Sequence, residues 1–172
     1  RKSELYYCDA EGTKIVRVTP KWKDESYIGV RWEPKEANTI RFIRRDRLLR
    51  NLEVCFLNVK TGEEKCLIKE GFEAAYLDFQ QPRDVPETED FFWWSERSGW
   101  GHFYRYGKDG TFKNAVTSGP WRVSSIVEVD AKNKVLYLRG NAREEGENVY
   151  YQHLYRVNFD GTGLTLLDLR EV

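Results

Sequence analysis

The stretch 90-DFFWWSERSGWGHFYRYGKDGT-111 decides how this chain folds. Phe91 to Trp94 is an unbroken aromatic run, and Ser95 to Gly101 is a polar, glycine-bearing turn. His102 to Tyr106 is a second aromatic strand, and Gly107 to Gly110 a second turn. Aromatic runs bounded by Gly, Asp and Ser signal hairpins. The first strand does not alternate apolar with polar, so both its faces are expected to be buried. A two-sheet sandwich hides one face of each strand and leaves an alternating pattern. A propeller blade packs between two others, so its middle strands are covered on both sides. That reading demands a repeat.

The repeat is present. Tight turns recur at Asp9 to Thr13, Asn58 to Glu63, Lys108 to Thr111 and Asp160 to Thr162, with glycines at 12, 62, 110 and 161. The spacings are 50, 48 and 51, and four-stranded blades repeat every ~40–50 residues. Leu5-Tyr6-Tyr7, Val54 to Leu57, Phe103 to Tyr106 and Leu154 to Val157 precede the four turns. Ile15 to Val18, Lys65 to Ile68, Phe112 to Val116 and Leu164 to Leu167 follow them.

The expected fold class is therefore all-β, a β-propeller fragment of about three and a half four-stranded antiparallel blades. Residues 3–19 read as a half blade, 27–69 as a blade, 74–117 as the next and 121–169 as the last, all parts of one propeller domain. The first full blade is expected to use Tyr27 to Trp32, Thr39 to Arg45, Leu52 to Val59 and Glu64 to Lys69. The second is expected to open with a strand at Ala75 to Phe79. Gln80 to Glu89, with Pro82, Pro86 and several acids, reads as a loop. The third has strands at Val123 to Val129, Lys134 to Arg139, Tyr150 to Phe159 and Leu164 to Leu169. Ala142 to Asn148 is the best helical candidate, and it is short, polar and interrupted by Gly146.

The 28 basic and 28 acidic residues balance, so no global field draws the chain to nucleic acid or anionic membrane. No apolar run of about eighteen residues is present to span a membrane as a helix. No signal-peptide pattern opens the chain. It lacks methionine and begins on Arg1. An open array of blades cannot close a ring. These features are expected of a piece of a longer polypeptide.

Cys55 and Cys66 flank the Asn58 to Glu63 turn. An even-length hairpin loop sets them directly opposite, at a separation of about 4.5–5.5 Å between Cα atoms, within disulfide reach. A glycine bulge at the turn would spoil the register, and two reduced, half-buried cysteines are the alternative. A disulfide would imply an oxidising compartment, hence a periplasmic or secreted protein. Cys8 is then left over, expected as a buried thiol.

Trp94-Ser95-Glu96-Arg97-Ser98-Gly99-Trp100-Gly101-His102-Phe103-Tyr104 resembles the W-x-S-E-R-x-G-x-x-H-L-Y stretch of the dipeptidyl-peptidase IV family, which are prolyl-oligopeptidase-type serine peptidases. Val116-Thr117-Ser118-Gly119-Pro120-Trp121-Arg122-Val123 resembles the V-T-x-G-x-W-x-V of the same propellers. The Cys55/Cys66 hairpin is similar to a disulfide-bearing hairpin of animal members. The resemblance covers nearly the whole chain, although the 80–89 loop is longer than the family pattern, so no substrate contact carries over from it. It implies an eight-bladed propeller over an α/β-hydrolase domain that holds the Ser/Asp/His triad. The propeller restricts entry and supplies acidic residues that grip the substrate's free amino terminus. The implied partner is a peptide substrate, met through a hydrolase domain absent from this chain. The parent would remove dipeptides with Pro or Ala before the scissile bond, and a homodimer of the parent is a further implication.

No G-x-S-x-G nucleophile elbow occurs, so no catalytic residue is expected here. No cofactor-binding or metal site is expected either. His102 and His153 both fall in third strands, where packing within a blade outweighs metal ligation. Glu96 and Arg97 read as turn partners before ligand contacts. Gly107 to Gly110 lacks phosphate-loop spacing. Arg41, Arg44, Arg45, Arg47 and Arg50 form the sharpest charge cluster. Arg44 to Arg50 is expected in a solvated turn, with Glu53 and Asp46 offsetting part of the charge. Trp100 and Trp121 read as wedges between blades before sugar or peptide platforms. The alternative to a peptidase propeller is a non-enzymatic propeller that binds protein or carbohydrate. A third reading is a self-contained small β-domain.

Overall fold

The computed structural model describes residues 3–73 and 75–168. Every regular element among them is a β-strand. The chain divides into two compact units, Arg1–Leu77 and Asp78–Val172, and each is taken by itself.

The first unit opens with β1 (Tyr6–Cys8) and β2 (Ile15–Arg17), a two-stranded antiparallel sheet. Its blade runs β3 (Ser26–Trp32), β4 (Thr39–Arg45), β5 (Asn51–Asn58) and β6 (Glu64–Gly71), paired in chain order. β4 reads Thr-Ile-Arg-Phe-Ile-Arg-Arg and is buried from Thr39 to Arg44. Both of its faces are covered, as in a strand from the middle of a blade. Val18, Ile40, Phe42, Cys55 and Leu57 make a core that Tyr7 and Tyr27 complete.

Cys8 departs from expectation, because it is exposed and free. Side chains alternate along a strand. Tyr7 takes the inward place in β1, so Cys8 and its cross-strand partner Ile15 point out.

The second unit holds two blades. One is β7 (Arg83–Val85), β8 (Asp90–Ser95), β9 (His102–Gly107) and β10 (Phe112–Ala115). The other is β11 (Arg122–Asp130), β12 (Val135–Asn141), β13 (Gln152–Asn158) and β14 (Thr165–Leu166). Phe92 and Trp94 of β8 and Phe103 of β9 pack with Leu136, Leu138, Tyr155 and Val157 of the neighbouring blade. Phe91 and Trp93 point the other way and are equally buried. Phe91 stacks on Tyr106 at 5.5 Å. The aromatic run is therefore buried on both faces. The chain is a β-propeller fragment, a two-stranded sheet followed by three four-stranded blades.

The repeat glycines 12, 62, 110 and 161 all carry positive φ, between 70° and 90°. A side chain resists that conformation, which is why the residue recurs at the same place in each β-turn.

Three expectations change. The opening strand of the second blade is Arg83–Val85, and Ala75 to Phe79 is not a strand. Pro82 and Pro86 bracket this edge strand, where a missing N–H is tolerated. Val85 reaches the core at 1% exposure, and this burial outweighs the loop-like composition. Ala142 to Asn148 is irregular and not helical. β14 ends at Leu166, whereas Leu169, like Ala74, lies outside the described residues.

Candidate functional site

In the first unit the arginine cluster is divided by the strand. Arg44 lies in β4, 6% exposed, not in a solvated turn. It donates twice to Glu53 Oε2, from Nε at 2.8 Å and from Nη2 at 2.7 Å. It also pairs with Glu64 at 2.9 Å. Lys21 holds the other oxygen of Glu53. Burial alone would raise the Glu53 carboxyl, but Lys21 and Arg44 outweigh it and hold its pKa below the ordinary value. Arg41, likewise buried, pairs with Glu33 at 3.1 Å. Arg47 is exposed and meets Asp24 at 3.5 Å. Asp46 accepts from the Arg50 and Asn51 amides and from the Asn51 side chain, so it shapes the turn, and the Arg50 charge also acts on it.

Glu25, also buried, accepts from the Lys21 and Trp22 amides at 2.9 Å. Burial first, then Glu25, push the Tyr27 hydroxyl pKa up.

This network abuts the Cys55–Cys66 disulfide. The register keeps Leu57 opposite Glu64, Phe56 opposite Lys65 and Cys55 opposite Cys66. The bulge comes only beyond them, between Val54 and Cys55. Arg44 Nη2 is 3.3 Å from Cys66 Sγ. A cavity of about 490 Å³ opens beside Arg44, lined by Tyr7, Arg17, Lys21, Arg44, Leu57 and Glu64 among others but by neither cysteine. Glu53, Cys55 and Cys66 bring three ligand-type atoms within 4.8 Å of one another. The sulfurs are bonded to each other and Glu53 is held by two cations, so this cluster offers no free ligand set.

In the second unit, His102 is completely buried. Its Nδ1 lies 2.9 Å from the Thr117 hydroxyl and its Nε2 lies 3.0 Å from the Gly119 carbonyl. A carbonyl only accepts, so Nε2 carries the proton and Nδ1 accepts from Thr117. Burial lowers the pKa of the ring. Trp121, 3% exposed, stands between His102 and Tyr155 and donates to the Ser118 carbonyl at 2.7 Å. It wedges between the two blades. Trp94 Nε1 donates across to the Val123 carbonyl at 2.7 Å. Trp100 does not wedge; it is 41% exposed, because the turn from Glu96 to Gly99 closes on itself and carries the ring outward.

Arg97 turns back along its own hairpin. It bonds Ser95 Oγ and the Tyr106 hydroxyl and lies 4.2 Å over the Tyr104 ring. Asp90 is buried between Arg105 and Lys113. Burial raises its carboxyl, the two cations outweigh this, and the pKa lies below the ordinary value. No sequence signal marked this triad, because its members are 15 and 23 residues apart and meet only across strands. His153 lies between Glu147 at 2.8 Å and Asp168 at 3.0 Å. Arg143 stacks on Trp121 and Tyr155. Within each unit, Arg44, Glu53, Asp90, Arg97 and His102 are thus bonded to neighbouring strands and turns.

The family model of the dipeptidyl peptidase IV N-terminal region matches residues 2–171. A dipeptidyl peptidase 4 of Arthroderma otae is 29% identical over 170 residues, which cover 95% of this chain and 21% of that protein. One of Trichophyton equinum is 26% identical over 157 residues, or 88% of this chain and 20% of that protein. The crystal structure of Porphyromonas gingivalis dipeptidyl peptidase 4 superposes with a TM-score of 0.79 at 19% identity, over 97% of this chain and 23% of that one. At that identity the likeness speaks for the fold. The chain spans about a fifth of the length of the curated relatives it matches. With a family match that runs from residue 2 to residue 171, the chain belongs to the dipeptidyl peptidase IV N-terminal region family.

Proposed function

We propose that this chain is a non-catalytic segment of the propeller of a serine-type exopeptidase that removes dipeptides from peptide amino termini. In this reading the blades scaffold the enzyme and gate substrate access. The family match over residues 2–171 carries the reading. The polar groups of the blades support a scaffolding role, since Arg44, Glu53, Asp90 and His102 are each bonded internally. Residues 3–19, 27–69, 74–117 and 121–169 are then successive parts of one propeller domain. The triad would come from an α/β-hydrolase domain of the parent, which would act as a dimer. The Cys55–Cys66 pair supports a periplasmic or secreted setting, where disulfides persist.

The test is the intact mass of the protein in its source cells, together with a fluorophosphonate label for active serines. A much longer, labelled chain is expected. A chain of this length that takes no label overturns the peptidase reading and favours a propeller-like binding module.

A further inference from the structure

The Cys55–Cys66 disulfide has two chemically different ends. Cys55 is completely buried, and its Sγ lies 3.9 Å from Glu53 Oε2. Cys66 is half-buried, and its Sγ lies 3.3 Å from Arg44 Nη2. Glu64 Oε1 is 3.6 Å from the same sulfur, but Arg44 holds that carboxylate at 2.9 Å. Arg44 and Glu64 both line the cavity of about 490 Å³. Exchange at a disulfide depends on which sulfur a thiolate can reach and on how well the other sulfur leaves as a thiolate. Here access favours attack at Cys66, while Glu53 opposes charge on the departing Cys55.

We propose that Cys66 is a thiol-exchange site addressed by small thiols from the solvent side, to which it is half exposed while Cys55 is not. The attacking thiolate forms a bond to Cys66 Sγ. The Cys55–Cys66 bond breaks, and its electron pair leaves on Cys55, which takes a proton from solvent. A second thiolate then attacks the small thiol's sulfur in the mixed disulfide and expels Cys66 as a thiolate. Two thiols are oxidised to one small disulfide, and the protein disulfide gains two electrons. The Arg44 guanidinium favours the thiolate of Cys66, as a neighbouring cation does. The released sulfur is therefore a nucleophile, and Cys55 stays an inert thiol in the core. The bond is slow to open, and of its two sulfurs only Cys66 takes the adduct. This holds whether or not the parent is a peptidase.

The first test incubates the native full chain with glutathione and maps the adduct by peptide mass spectrometry. Cys66 should carry at least roughly tenfold more adduct than Cys55. Equal labelling overturns the proposal, as does a complete lack of adduct under conditions that exchange an exposed disulfide. The second test uses Cys55→Ser, which leaves Cys66 beside Arg44, and follows iodoacetamide alkylation of Cys66 against pH, resolved from the exposed Cys8 by peptide mass spectrometry. The midpoint should lie below the ~8.5 of an ordinary thiol and rise when Arg44→Gln is added. A midpoint at or above that value, or one that Arg44→Gln does not move, overturns it. Glu53→Gln in the otherwise native chain should open the bond severalfold faster, and an unchanged rate counts against the charge argument.

Discussion

Trp121 touches His102 and Tyr155 at ring separations of 5.7 and 5.1 Å, and Arg143 lies 5.7 Å from its centroid. Its indole also satisfies the Ser118 carbonyl. Trp121→Ala leaves a void and an unpaired carbonyl, so a loss of about 3–5 kcal/mol is expected from urea unfolding. His102 gives a pH signature. Its folded pKa is lowered by burial, so folding favours the neutral ring. The stabilisation is whole above the unfolded value near ~6.5 and is lost as pH falls below it toward the folded value. His102→Gln should flatten the stability profile below pH ~6.5, measured by thermal melts. Glu53 and Asp90 act at lower pH. Their pKa values are lowered, so their contribution is present above the ordinary carboxylate value near ~4 and is lost as pH falls through the folded value. These residues show what local sequence conveys. Residue type and turn position marked both Trp100 and Trp121 as candidate wedges, and only packing separates them, at 41% and 3% exposure. The Asp90 triad was not legible, because only register brings Arg105 and Lys113 to it.

At the scale of elements, two glycines mark where strands crowd a neighbouring ring. A Cβ on Gly140 of β12 would stand 2.7 Å from the Trp121 ring and 2.8 Å from the Arg122 carbonyl. On Gly101, just before β9, it would stand 2.3 Å from Trp94 Cζ2. Neither glycine has positive φ, so the constraint is space. Gly140→Ala and Gly101→Ala should each cost roughly 1–3 kcal/mol by chemical denaturation. The same alanine change at Gly146, where a Cβ meets nothing within 4 Å, lacks this overlap term and is opposed instead by a φ of +80°. β7 shows the limit of composition. Its segment reads as loop from the prolines outward, yet pairing with β8 makes Arg83–Val85 a strand. A three-residue strand has too few positions to display a period, so the pattern that identifies longer strands is absent there.

At the scale of the whole molecule, the near-regular spacing of four glycine turns carries the fold, since each turn closes the last two strands of one unit of the repeat. The reading frame of the parent gene should continue well beyond this segment and contain a G-x-S-x-G elbow. Sequencing the full transcript checks this, and a frame that ends soon after the last blade contradicts the peptidase proposal. Family membership was also legible, because its motifs lie in contiguous stretches such as Trp94 to Tyr104.

The amino-acid sequence by itself determined the strand class, the repeat and most of the pairing order, because these follow from local preferences: aromatic and β-branched runs extend, and glycine admits positive φ. Tertiary structure alone decided that Cys8 faces out, that Trp100 stays exposed while Trp121 is buried, and that Arg44 enters the core with Glu53. Each of those outcomes depends on which side of a strand or turn meets another layer, and on the desolvation and pairing that follow. Such information lies in the contacts between distant segments and in no single stretch of the chain.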